Sequence, residues 1–182
     1  MRQLPISHSD FAYVRRNGYY YVDKSLLIRD IIDSAGVCLI TRPRRFGKTL
    51  NLGMLRYFYT HAEDYRDCFE GLKIMQAGER YLSKMGQHPV IYLSLKEVRQ
   101  DTWEEAWKKM REKLAQLCEE FSYLRDWPQA SPLLHKLFED VYRADVQPVD
   151  LSFALQILSK HLKAYHGQPV VILIDEYDAP AV

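Results

Sequence analysis

The run Thr41-Arg42-Pro43-Arg44-Arg45-Phe46-Gly47-Lys48-Thr49 joins a short apolar stretch, Val37-Cys38-Leu39-Ile40, to a helix-like segment from Leu50 to Tyr59. Strand, tight loop bearing Gly-Lys-Thr, then helix is an arrangement that cradles the phosphates of a nucleoside triphosphate such as ATP. Loop N–H groups point inward, the lysine neutralises the β and γ phosphates, and the threonine hydroxyl reaches Mg²⁺. Lys48 and Thr49 hold those two positions, and the residues from Arg42 to Leu50 form the candidate cradle. One position departs from the G-x-x-x-x-G-K-[ST] pattern, with Arg42 standing where the first glycine belongs.

A second candidate lies far along the chain. Val170-Val171-Ile172-Leu173-Ile174 reads as a buried strand that ends in Asp175-Glu176. A strand-end aspartate can hold the hydration shell of Mg²⁺, together with the loop hydroxyl of Thr49. A following glutamate that does not bind the metal stays free to orient water or accept its proton. Asp175 is therefore the candidate metal carboxylate, and Glu176, with Lys48, a candidate catalytic residue. Taken singly, Gly47 reads equally well as a turn, Lys48 as a solvated cation and Asp175-Glu176 as an acidic strand end. Both halves in this order favour ATP binding.

Three ordered motifs resemble the bacterial AAA-ATPase-like family: Tyr21-Val22-Asp23-Lys24-Ser25, Arg42-Pro43-Arg44-Arg45-Phe46-Gly47-Lys48-Thr49, and Ile174-Asp175-Glu176-Tyr177-Asp178-Ala179-Pro180. In that family the position of Arg42 is normally arginine, so the departure is a family trait. The resemblance implies an α/β P-loop NTPase fold, a three-layer sandwich around a mostly parallel sheet. It also implies ATP over GTP, Mg²⁺ as cofactor and hydrolysis in the intact protein. Full-length relatives commonly carry a nuclease-like domain of the PD-(D/E)XK type, for which this chain has no residues. A nucleotide-gated binding module with little turnover is the alternative, as is a remnant that binds no nucleotide.

Composition fits these readings. A chain of 182 residues is long enough for one substantial core, and 47% apolar with 27% charged residues is ordinary for a soluble protein. A net charge of +1 gives no global pull toward nucleic acid or membrane. Cys38, Cys68 and Cys118 are odd in number and widely spaced, which suits reduced thiols in a cytoplasm, with Cys38 as core filler. No apolar run approaches a membrane span, and nothing speaks to oligomeric state.

The positioning elements follow from periodicity. Val37–Ile40, Val90–Leu95 and Val170–Ile174 read as strands, and Tyr19–Val22 as a possible fourth. Helices are expected over Leu26–Ala35, from Thr102 with a Thr102/Glu105 capping box, from Ser131-Pro132, and from an Asp150 cap to Gly167. Trp103 and Trp107 are expected to be core or helix-packing residues, Tyr177 to pack, and His161 and His166 to face solvent. Short helices and loops are expected between Ala62 and Gly86.

The arginines Arg42, Arg44 and Arg45 either face the triphosphate or are solvated and paired with Asp23, Asp175 or Asp178. Asp23 and Lys24 either approach the base or ribose, or serve the helix start, with Asp23 or Ser25 as cap. Asp178 is expected to pair locally. Only one strong strand separates the two motifs, an order that resembles the branch of P-loop ATPases in which a later strand inserts between the two motif strands. That resemblance implies that 1–182 is the N-terminal part of one P-loop domain, ending before its central strand. Either the two motif strands then pair directly or a gap separates them.

Overall fold

The computed structural model describes residues 3–6, 8–34, 36–41, 46–143 and 150–177. Arg42, Pro43, Arg44, Arg45, Asp178 and Pro180 lie outside them. Two units divide the chain, Met1–Val90 and Ile91–Val182.

Short helices build the first unit: α1 (Phe11–Arg16), α2 (Leu26–Asp33), α3 (Lys48–Tyr59), α4 (Arg66–Phe69), a 3₁₀ turn (Lys73–Gln76) and α5 (Glu79–Leu82). The stretch from Ala62 to Gly86 is thus short helices and loops, as its weak pattern suggests. α1 was not legible as a helix, although Asp10 caps it by accepting the Tyr13 N–H at 2.7 Å. Buried Asn51, Met54, Leu55 and Phe58 form the inward stripe of α3, spaced as a helix face requires. Phe58 meets Phe69 edge-on at 5.6 Å, and Phe69 lies 5.0 Å from Phe11, so one aromatic cluster joins α1, α3 and α4. Arg15 closes the end of α4 by donating to the Cys68 and Glu70 carbonyls at 2.8 and 2.7 Å.

The start of α2 is held by side chains rather than by a conventional cap. Asp23 accepts the Ser25 N–H and the Lys73 N–H, each at 2.8 Å, and Ser25 Oγ accepts the Ile74 N–H at 3.1 Å. Ser25 is fully buried. These bonds clamp the segment before α2 to the 3₁₀ turn, satisfying two amides that turn cannot bond internally. Burial works against the Asp23 carboxylate's charge, but hydrogen bonds from Ser25 and Lys73 outweigh it and hold its pKa below the usual value.

Two expected strands are absent. Residues 37–40 pair with no strand among the described residues, and Val37 is 93% and Leu39 66% exposed. Cys38 is exposed as well, beside the Ser34 hydroxyl, and so is not core filler. An apolar run becomes a strand only where a neighbour takes its N–H and C=O groups. Tyr19–Val22 is extended but outside any ladder; Tyr20 N–H reaches the Gln3 carbonyl at 2.8 Å.

In the second unit a two-stranded parallel sheet carries β1 (Val90–Ser94) beside β2 (Val171–Asp175). Parallel neighbours need a long crossover, and α6 (Trp103–Glu120), α7 (Pro132–Tyr142) and α8 (Asp150–His166) supply it. Thr102 accepts the Glu105 N–H at 3.3 Å, which is the hydroxyl half of the expected capping box. The helix expected from Ser131-Pro132 is capped by Ser131, which accepts the Leu134 N–H at 3.3 Å. α8 has Asp150 as its first residue instead of as the preceding cap, and it ends before Gly167, whose φ is +67°.

Ile91, Leu93, Leu114, Leu134, Leu158 and Leu162 anchor one apolar cluster under this sheet. Trp107 packs against it, whereas Trp103 is 66% exposed and stacks on Trp107 at 6.2 Å, so the pair is not wholly core. His161 is buried rather than solvent-facing: one ring nitrogen lies 2.7 Å from the Ile157 carbonyl and the other accepts the Ser131 N–H at 3.3 Å. His166 is half-buried, with its Nε2 2.8 Å from the Tyr123 hydroxyl. The observed architecture is mixed α/β.

Leu114→Ala is expected to destabilise the chain by about 2–5 kcal/mol, and Trp103→Ala by much less; urea denaturation compares them. The Asp23 clamp gives a pH prediction. A lowered carboxylate pKa contributes stability that is complete above the unfolded value, about 4, and lost as pH falls through the folded one. Melting temperatures followed below about pH 5 should therefore fall less steeply in Asp23→Asn than in the parent chain.

Candidate functional site

In the first unit Gly47 precedes α3 with φ 76° and ψ 29°, the left-handed conformation. A side chain there is strained, so glycine lets the chain turn sharply into the helix. The first i→i−4 bond of α3 runs from Asn51 N–H to the Gly47 carbonyl at 2.9 Å. The N–H groups of Lys48, Thr49 and Leu50 precede it, and they form the electropositive end of a 12-residue helix with no acidic residue in its first turn. Lys48, Thr49 and Leu50 are half-buried, and Phe46 is 58% exposed.

Lys24 comes to this same place. Its Nζ donates to the Phe46 carbonyl at 3.4 Å and lies 3.9 Å from where a Cβ on Gly47 would stand. Tyr21 lies on the same path, its hydroxyl donating to Met54 Sδ at 3.3 Å, and burial pushes its phenol up to about 12. The segment leading into α2 thus runs antiparallel to α3, with Lys24 arriving at the helix start. Sequence reasoning placed Lys24 near a base or ribose, or at the start of α2; the structure places it on the loop.

Asn51 was missed altogether. It is 2% exposed, and its Nδ2 has no hydrogen-bond partner among the described residues. The signal was a polar residue in the otherwise apolar stripe of Met54, Leu55 and Phe58.

In the second unit β2 delivers Asp175 and Glu176 side by side. Strand alternation buries Leu173 and Asp175, at 8% and 4% exposure, and leaves Ile172 and Ile174 outside. The Asp175 carbonyl accepts the Leu95 N–H at 3.0 Å, and its carboxylate accepts the Glu176 N–H at 3.0 Å. Glu176 itself has φ 53°, a left-handed conformation held by no other non-glycine residue among those described. Such a backbone costs about 1 kcal/mol or more, and the Asp175 carboxylate helps hold it. Tyr177 is 53% exposed rather than packed.

The structure therefore brings Phe46, Gly47, Lys48, Thr49 and Leu50 together with Lys24 in the first unit, and Asp175 with Glu176 in the second. No group of three or more His, Cys, Asp or Glu side chains among the described residues could hold a metal. A hydroxyl on Thr49 and a carboxylate on Asp175 are nevertheless hard oxygen donors. Mg²⁺ takes that kind of ligand a few at a time, alongside phosphate and water.

A family model described as "Predicted AAA-ATPase" matches residues 5–182. An "Uncharacterized protein in vnfD 5'region" of Azotobacter chroococcum mcd 1 is 33% identical over 94 residues, which cover 51% of this chain and 17% of that protein. The matched stretch thus spans well under two thirds of that relative's length. No solved structure matches. With the family model running over nearly every residue, the chain belongs to the AAA-ATPase-like family.

Proposed function

We propose that this chain binds Mg-ATP and that the intact protein hydrolyses it. The observation that carries this reading is the left-handed Gly47 leading Lys48 and Thr49 into the N-terminus of α3. Amides at a helix start, a lysine in the first turn and an adjacent hydroxyl make a phosphate site. Membership of a family described as predicted ATPases supports it.

In this reading the Lys48 ammonium binds the β and γ phosphates and stabilises charge that grows on them during transfer. Thr49 and Asp175 hold the metal, which supplies charge neutralisation when bound. Glu176 orients a water and accepts its proton; its backbone N–H donates to the Asp175 carboxylate and so ties that carboxylate to the Glu176 backbone. Phe46, Gly47 and Leu50 shape the cradle, and Arg42, Arg44 and Arg45 donate to phosphate oxygens where the general pattern has a glycine backbone.

We further propose that residues 1–182 belong to one P-loop domain whose complete form is a three-layer sandwich, in a cytoplasmic protein. A nuclease-like domain is its expected neighbour.

Lys48→Met should abolish the upward thermal shift that Mg-ATP produces in the parent chain; an equal shift in both would remove Lys48 from the site. In the intact protein Glu176→Gln should keep ATP affinity and lose turnover by about a hundredfold or more. Unchanged turnover would mean that another group is the base. Arg44→Ala and Arg45→Ala should each weaken ATP binding, read by fluorescent-nucleotide displacement; unchanged affinity in both would assign the arginines elsewhere.

A further inference from the structure

The surroundings of Lys24 carry an inference beyond the loop's own lysine. An ammonium is ordinarily stabilised by a carboxylate or by the carbonyl end of a helix. Lys24 has neither among the described residues. Its Nζ rests on one neutral carbonyl, that of Phe46, at a long 3.4 Å. It sits against Gly47 at the electropositive end of α3, where Lys48 already occupies the first turn and no acidic residue does. The Lys24 ammonium and several helix-start amides therefore meet at one place, and no acidic residue stands in the first turn to offset them.

The position is not a consequence of slack. Asp23 and Ser25, on either side of Lys24, are bound to the Lys73 and Ile74 amides at 2.8 and 3.1 Å. The backbone that carries Lys24 is thus fixed to the body of the unit, and only the side chain can swing. A second observation points the same way. The buried Asn51 amide, one turn into α3 and on the same face as Gly47, has an N–H donor with no partner among the described residues. The beginning of α3 is oversupplied with donors.

We propose that Lys24 is a second phosphate-binding ammonium, which leaves the Phe46 carbonyl for a terminal phosphate oxygen when a nucleoside triphosphate enters. The inference rests on the nucleotide reading above and adds to it a group outside the Gly-Lys-Thr loop. Lys24 and Lys48 then neutralise the triphosphate from two elements, and the segment leading into α2 becomes a sensor of its terminal phosphate. An ammonium bonds a charged phosphate oxygen more strongly than a neutral carbonyl.

Titrating the chain and its Lys24→Met and Lys24→Arg variants with Mg-ATP and with inorganic triphosphate, at several salt concentrations, tests this. Lys24→Met should bind both ligands about tenfold more weakly or worse, with a shallower dependence of affinity on salt. Lys24→Arg should recover most of the affinity, and melting without ligand should be nearly unchanged. Should Lys24→Met fold poorly, Lys24→Gln serves as the charge-neutral variant. Parent-like affinity in the neutral variant would overturn the role of Lys24 while leaving the nucleotide reading intact. Weaker binding with an unchanged salt dependence would also overturn it, marking Lys24 as a brace for the loop. If the parent chain bound neither ligand, the nucleotide reading itself would fall, and this inference with it.

Discussion

Two backbone amides, those of Lys73 and Ile74, are the fixed points on which the first unit's chemistry is hung. They belong to a 3₁₀ turn distant in sequence from the phosphate-type loop. By binding Asp23 and Ser25 they decide where the preceding extended segment lies, and so which end of α3 Lys24 reaches. Leaving the buried Ile74 amide unpaired would be costly, and its bond to Ser25 acts together with the exposed Lys73–Asp23 bond beside it. Losing one bond releases the start of α2 and the lysine between the two anchors together. A motif that reads as a linear string is therefore a tertiary contact folded into five residues.

The second unit has a different logic. Its strands are adjacent in space because three helices return the chain in parallel, and its apolar cluster is assembled across β1, α6, α7 and α8. Asp175 is buried by the alternation of β2, not by an insertion or a special loop. Shifting that strand by one residue would expose Asp175 and bury Glu176. The register that packs Leu173 inward is thus the same register that sets the carboxylate pair.

Long helices and their caps were legible because each carries its own signal: a side-chain acceptor at the start, then apolar residues at helical spacing. Thr102 and Ser131 behave as their residue types demand. Val90–Leu95 and Val170–Ile174 were equally readable as strands. Val37–Ile40 was not, because four apolar residues specify a tendency while pairing is settled by a neighbour far away in sequence. His161 was misjudged for a related reason. A histidine on a helix reads as polar and exposed, and only the arrival of Ser131 shows that both its nitrogens have work inside. At the site, the order Gly47-Lys48-Thr49 and Asp175-Glu176 was visible, whereas the approach of Lys24 depended on the Asp23 and Ser25 anchors, whose partners no local pattern announces.

The left-handed backbone of Glu176 has a consequence for how this chain tolerates change. Glycine would adopt that conformation without strain, so a substitution that relieves the backbone at this position also deletes a carboxylate. Stability and chemistry pull in opposite directions there. Laboratory evolution for thermal robustness alone, with no demand for turnover, would favour glycine at residue 176.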